Sequence, residues 1–185
     1  TVVVAAAADA DALLPPLVSA APVGAIFEWR PDADMMRLAR RVSGFGGAAL
    51  VIDYGHVRSD AGDTLQAIAR HAFADPLKNP GMADVTAHVD FEALARAAEA
   101  AGARVHGPAE QGAFLRQLGI EARAHALMAK AEPQVAQDIA VALQRLTSSG
   151  RGGMGSMFKV LGIADPTIPM LVGLSDTAAA AEAAT

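Results

Sequence analysis

A run of apolar residues, Ala48-Ala49-Leu50-Val51-Ile52, follows the stop Gly44-Phe45-Gly46-Gly47 and empties into Asp53-Tyr54-Gly55-His56. The run has strand length and no polar alternation. A strand that is apolar on both faces belongs to a sheet covered on both sides, usually a parallel one. In an open α/β sheet, ligands bind beyond the carboxyl ends of the strands. An exit rich in Asp and His therefore marks a candidate active-site edge. Upstream, Gly24-Ala25-Ile26-Phe27-Glu28-Trp29 reads as a strand. Pro31 suits the first turn of a helix, where its missing N–H costs nothing, and Asp32 and Asp34 favour that end through the helix dipole. Met35, Met36, Leu38, Ala39 and Val42 supply the helix's apolar stripe. Residues 24–53 are thus predicted to form one β-α-β unit.

Asp53 to Gly62 reads as a loop, Thr64 to Ala69 as an extended segment and Phe73 to Ala83 as an irregular loop with Asp-Pro and Asn-Pro steps. Asp90 is placed to N-cap a helix from Phe91 to Ala101, and Gly102 ends it. Ala103 to His106 is a short predicted strand, followed by a turn at Gly107-Pro108. Helices are predicted at Ala109–Leu118, Glu121–Ala131 and Pro133–Leu146, then a loop at Ser148–Gly153 and a late strand at Met157–Gly162. The alanine-rich start, with breakers at Pro15-Pro16 and Pro22, reads as a connection or as a short helix around Asp11–Val18. The alanine-rich end from Ser175 to Thr185 lacks large apolar residues and reads as a frayed tail.

The chain has 185 residues and 52% hydrophobic residues, enough for a real core in one domain or part of a larger one. A net charge of −5 and the lack of a dense Lys/Arg cluster argue against a nucleic-acid partner. The absence of cysteine excludes disulfides, thiolate metal sites and a cysteine nucleophile. No apolar segment is long enough to span a bilayer, and Thr1-Val2-Val3-Val4 lacks the basic leader of a signal peptide. With no initiating Met, the chain is expected to be a fragment or a processed product. Its alanine-rich composition fits a GC-rich bacterial gene and a cytoplasmic home.

Among the candidate site residues, Asp53 could hold a guanidinium or an amine at the strand end, or cap the following turn. Tyr54, the one tyrosine, could line a pocket by stacking or cover the sheet end. Gly55 is read as supplying a positive φ rather than a ligand contact. His88 and Asp90 form a His-x-Asp pair. A metal reading would need His56 or His71 to converge on it, and helix capping by Asp90 is the stronger explanation. His88 could orient Asp53 or a substrate group, or serve a structural role. His71 and Asp75 either line a substrate entrance or lock their loop by hydrogen bonds. His106 and His125 are read as structural. Ser43, Ser59 and Ser156 lie outside any nucleophile elbow, and no phosphate-binding Gly-Lys-Ser/Thr loop is present.

These residues carry a resemblance. Leu50-Val51-Ile52-Asp53-Tyr54-Gly55-His56, Asp63-Thr64-Leu65-Gln66-Ala67, Arg70-His71, Asp75-Pro76-Leu77, Pro80-Gly81 and Asp84-Val85-Thr86-Ala87-His88-Val89-Asp90-Phe91 resemble the MidA family. The likeness continues through Gly107-Pro108, Gln111-Gly112, Phe114-Leu115, Leu118-Gly119-Ile120 and Arg123, and covers about residues 24–162. It implies an α/β, Rossmann-like methyltransferase fold that uses S-adenosyl-L-methionine. It also implies mitochondrial eukaryotic relatives that methylate an arginine of a respiratory complex I subunit.

The chain departs from that pattern. A Rossmann-like enzyme holds its cofactor at a Gly-rich turn after the first strand and at an acidic residue ending the second. Neither is seen here, because Gly44-Phe45-Gly46-Gly47 precedes a strand. Glu28-Trp29-Arg30-Pro31 also stands where a small polar helix cap is expected. The expectation is therefore the C-terminal part of the fold, with additional C-terminal helices. Residues 1–23 would be a connection, 24–162 the methyltransferase part and 163–185 a tail. The cofactor would be bound mainly by an N-terminal half. Asp53 and His88 would be catalytic, Tyr54, Gly55, His56, His71, Asp75 and Asp90 substrate-binding, with no metal. A protein substrate, and association with the N-terminal half or a second copy, are the implied partners. The competing readings are a non-catalytic assembly module on the same fold and, more weakly, a metal-dependent hydrolase.

Overall fold

In a computed structural model, residues 22, 24–28, 31–79, 81–150 and 153–174 are described. The expectations for Asp11–Val18, for Trp29 and Arg30, and for the tail from Ser175 lie outside the described residues, as does almost all of the 1–23 connection.

Helix α1 spans Ala33–Phe45 and buries Met35, Ala39 and Val42, one stripe at helical spacing. Asp34 in its first turn pairs with Arg37. The helix runs on through Gly44 and stops at Gly46, whose φ of 81° is easy only for glycine. Strand β1 spans Ala48–His56 and outlasts its predicted end at Asp53. Strands β2 (Gln66–Ala69), β3 (Ala72–Ala74) and β4 (Asp84–Thr86) form a small antiparallel sheet in the order β3-β2-β4. Strand β5 (Val89–Asp90) leads directly into α2 (Phe91–Ala100). Strand β6 (Arg104–Glu110) precedes α3 (Gln111–Gln117), α4 (Ile120–Met128), α5 (Pro133–Thr147) and the last strand, β7 (Phe158–Ala164).

The main sheet has the order β5-β1-β7-β6. Strand β7 runs antiparallel to both β1 and β6, while β5 pairs parallel with the last two residues of β1. Leu161 and Ile163 of β7 point into a core closed by Met35 and Ala39 of α1 and by Phe91, Ala97 and Ala98 of α2. Val160, on the other face, packs with Ala109, Phe114 and Leu174. Gly162 permits that second layer, since a Cβ there would lie 2.6 Å from Leu171 and 2.7 Å from Leu174.

Several sequence expectations are corrected. The stretch Gly24–Glu28 forms no strand. Its polar groups are taken by the loop after β1: the Gly62 amide donates to the Ile26 carbonyl at 2.8 Å, and Thr64 donates to the Glu28 carboxylate through its amide at 3.1 Å and through its hydroxyl. The β-α-β unit is therefore a helix and a strand among the described residues. The long neighbour of β1 is antiparallel, and the strand is not covered on both sides: Leu50 and Ile52 are 50% and 47% exposed on one face. An apolar run reports a demand for burial but not the direction of its neighbour. The predicted loop from Asp53 begins only after His56. Gly107-Pro108, read as a turn, lies inside β6 at an irregularity of its pairing between His106 and Ala109.

Candidate acceptor pocket at the end of strand β1

The carboxyl end of β1 opens on a cavity of about 190 Å³, lined by Phe27, Glu28, His56, Asp60, Ala61, Gly62, Thr64 and Asp90. Among the described residues its lining holds three carboxylates and a histidine, and no lysine or arginine. Three chain segments build it: the strand end with the loop that follows, the irregular stretch around Glu28, and the junction of β5 with α2.

Asp90 sits at that junction. Its Oδ1 accepts from the Ala93 amide at 2.9 Å, which N-caps α2 as expected. Its Oδ2 accepts from the Ser59 hydroxyl at 2.7 Å and lies 3.9 Å from His56 Nε2. The parallel pairing of β1 with β5 brings this pair together by placing His56 opposite Asp90. Gly55 makes that pairing possible, because a Cβ there would lie 2.1 Å from the Val89 carbonyl oxygen. Gly55 is thus demanded by close backbone approach and not by positive φ, which corrects the sequence expectation.

The other candidates spread out. Asp53 is half-buried near the end of the β1–β7 pairing, opposite Lys159, and its Oδ1 accepts from the Tyr54 amide at 2.8 Å. It does not line the cavity. Tyr54 meets the rings of His88 and Phe158 edge-on, with centroids 5.5 and 5.9 Å away. The His88 amide donates to the Thr64 hydroxyl oxygen at 3.0 Å, tying the base of the small sheet to the cavity wall. His71 is exposed at the β2–β3 turn with a φ of 63°. Asp75 locks its own loop: Oδ1 accepts from the Leu77 amide at 2.9 Å and Oδ2 lies 3.4 Å from Lys78. The Leu77 amide first, and Lys78 after it, hold the Asp75 carboxyl below the usual carboxylate range. No group of three or more His, Asp or Glu residues among the described ones is arranged to hold a metal.

Sequence reasoning missed Glu28, Ser59, Asp60 and Thr64. Their partners lie far along the chain, 36 residues away for Glu28 and Thr64 and 31 for Ser59 and Asp90. The only local signal was the position of Ser59 and Asp60 just past a strand end.

The sheet, its helix-covered face and a cleft at the carboxyl end of β1 define a Rossmann-like methyltransferase fold. The chain belongs to the family described as "Putative S-adenosyl-L-methionine-dependent methyltransferase", which matches residues 3–109. It is 43% identical over 126 residues to the mitochondrial protein arginine methyltransferase NDUFAF7 homolog of Drosophila melanogaster, covering 67% of this chain and 28% of that protein. It is 42% identical over 112 residues to mitochondrial NDUFAF7 of Homo sapiens, covering 59% and 25%. A COG1565 superfamily protein of Burkholderia thailandensis, crystallised with S-adenosyl-homocysteine, superposes with a TM-score of 0.62 at 32% identity, over 77% of this chain and 37% of that one. The chain thus spans about a quarter to a third of the curated relatives it matches.

S-adenosylmethionine is the family's cofactor. The described residues do not fit it: the cavity, about 190 Å³, is smaller than the roughly 300–1,000 Å³ of a cofactor-sized pocket, and no Gly-rich turn follows a strand among them. No helix among the described residues is long and apolar enough to cross a membrane.

Proposed function

We propose that the protein is an S-adenosylmethionine-dependent methyltransferase acting on a protein nitrogen, that of an arginine on a respiratory complex I-type subunit, and that this chain supplies the acceptor side of the site. The observation that carries the reading is the acidic cavity at the end of β1, in a member of a methyltransferase family. A guanidinium is charged and a poor nucleophile. Carboxylates that fix its plane and bear its charge are the help its methylation needs. Glu28, Asp60 and Asp90 supply carboxylates on the cavity wall, and His56 stands beside them. The names of the relatives, protein arginine methyltransferases, favour the same acceptor.

In this reading residues 24–162 are the acceptor-side part of the transferase domain. His56 and Asp90 contact the acceptor, Tyr54 and His88 shape the wall behind them, and Asp53 stiffens the strand. His71 and Asp75 order the outer loops. The cofactor is held by other parts of the full-length protein, which works in the bacterial cytoplasm.

The test is isothermal titration of the full-length protein with S-adenosyl-homocysteine, followed by mass spectrometry of complex I-type subunits from cells with and without the gene. Saturable binding and loss of one arginine methylation are expected. An intact protein that binds no S-adenosyl-homocysteine would instead act as an assembly module on a methyltransferase fold.

A further inference from the structure

Ser59 belongs to no catalytic motif, yet it is a buried polar residue, 8% exposed, in the loop after β1. Its hydroxyl donates to Asp90 Oδ2 at 2.7 Å, and its amide donates to Glu92 Oε2 at 2.6 Å. Arg96 Nη2 stands 3.4 Å from the Ser59 oxygen as a donor, which directs the hydroxyl proton towards Asp90. The other Asp90 oxygen is committed to the Ala93 amide. A carboxylate offers about four acceptor sites. With both oxygens pinned, the unused sites of Oδ2 have a fixed direction, and His56 Nε2 lies 3.9 Å from that oxygen at the cavity.

We propose that Ser59 is a positioning residue: its hydroxyl acts through Asp90, holding the carboxylate so that Oδ2 presents its free acceptor sites to the cavity. Ser59 does not line that cavity. The inference rests on the reading of the cavity as the guanidinium pocket. Among the described residues, the charged and titratable groups around the pair are Glu28 and Asp60 on the cavity wall, His56 on β1, and Glu92 and Arg96 on α2. A preoriented charged acceptor binds a donor without first paying to order itself. Removing the hydroxyl should therefore weaken a bound guanidinium although nothing that touches it has changed.

The experiment titrates the full-length protein with agmatine, a guanidine that carries no carboxylate, and records melting temperatures alongside. Wild type should bind saturably. Ser59→Ala should weaken binding about tenfold, and Ser59→Thr, which keeps the hydroxyl, should restore most of it. Glu92→Gln weakens only the anchor of the loop amide and should change affinity by less than about twofold. Ser59→Ala binding as wild type does would overturn the positioning role. Equal losses in Ser59→Ala and Glu92→Gln would also overturn it, because the serine would then merely hold the loop. Wild type that ignores agmatine would remove the pocket reading and this inference together. Binding of S-adenosyl-homocysteine by the same sample would show whether the transferase reading survives.

Discussion

His106 and Gly55 show how single positions constrain this fold. The side chain of His106 is half-buried on β6, and its Nε2 is sealed from solvent with no hydrogen-bond partner among the described residues. Burial first, and the nearby Arg104 charge after it, push the histidine below its ordinary value. An unfolded chain then takes up that proton at a higher pH than the folded one. The His106 contribution to stability is complete above the ordinary histidine value and is lost as pH falls through it to the depressed folded value. His106→Leu should flatten the dependence of melting temperature on pH between neutral and mildly acidic solution. A variant with the slope of wild type would show that His106 is not the responsible group. Gly55 carries a steric constraint: a Cβ 2.1 Å from the Val89 oxygen cannot be absorbed by a flexible neighbour, because the obstacle is backbone. Gly55→Ala should cost about 2–3 kcal/mol in a denaturant titration and abolish agmatine binding, since it separates His56 from Asp90. The sequence singled out both residues of that pair, because Asp90 precedes a helix and His56 follows an apolar run. It could not show that they meet, since the meeting depends on a parallel pairing that residue pattern does not encode.

Among the elements, the junction of β5 and α2 does the most, because one residue ends a strand, caps a helix and faces the cavity. Those roles separate by mutation. Asp90→Ala removes the helix cap and should cost about 1–2 kcal/mol of stability. Asp90→Asn keeps an oxygen for the Ala93 amide and should retain most of that stability while losing guanidinium binding, because the charge is gone. Thermal melts and agmatine titrations of the two variants read the roles apart; a loss of binding in proportion to stability would reduce Asp90 to a cap. The elements legible in the sequence were those with local signals: α1 by its stripe, α2 by Asp90 and Gly102, α5 by Pro133, and β1 and β7 by apolar content. The Gly24–Glu28 stretch was misread because its backbone partners lie in the loop at Gly62 and Thr64, a choice made by tertiary structure over local pattern. The small sheet was half legible: β2 was expected as an extended segment, while β3 and β4 are too short to show alternation.

At the scale of the whole molecule, the two faces of the main sheet differ. Helices α1 and α2 seal one face, while α3 and the chain around Leu174 cover the other only above β6 and β7. Over β1 that second face leaves Leu50 and Ile52 about half exposed, and β1 beyond β7 is paired only at Gly55 and His56 among the described residues. An apolar strand with an open edge is a template for association. The sequence anticipated this much, since a run apolar on both faces asks for cover on both. The 185-residue chain on its own is accordingly expected to self-associate at micromolar concentration. Leu50→Thr together with Ile52→Thr, which keeps strand propensity and removes the apolar patch, should shift it towards monomer in sedimentation velocity. The double variant should also melt within a few degrees of wild type, because neither side chain belongs to the buried clusters. A wild-type chain that sediments as a monomer would show that this face tolerates water, and the apolar run in β1 would then need another explanation.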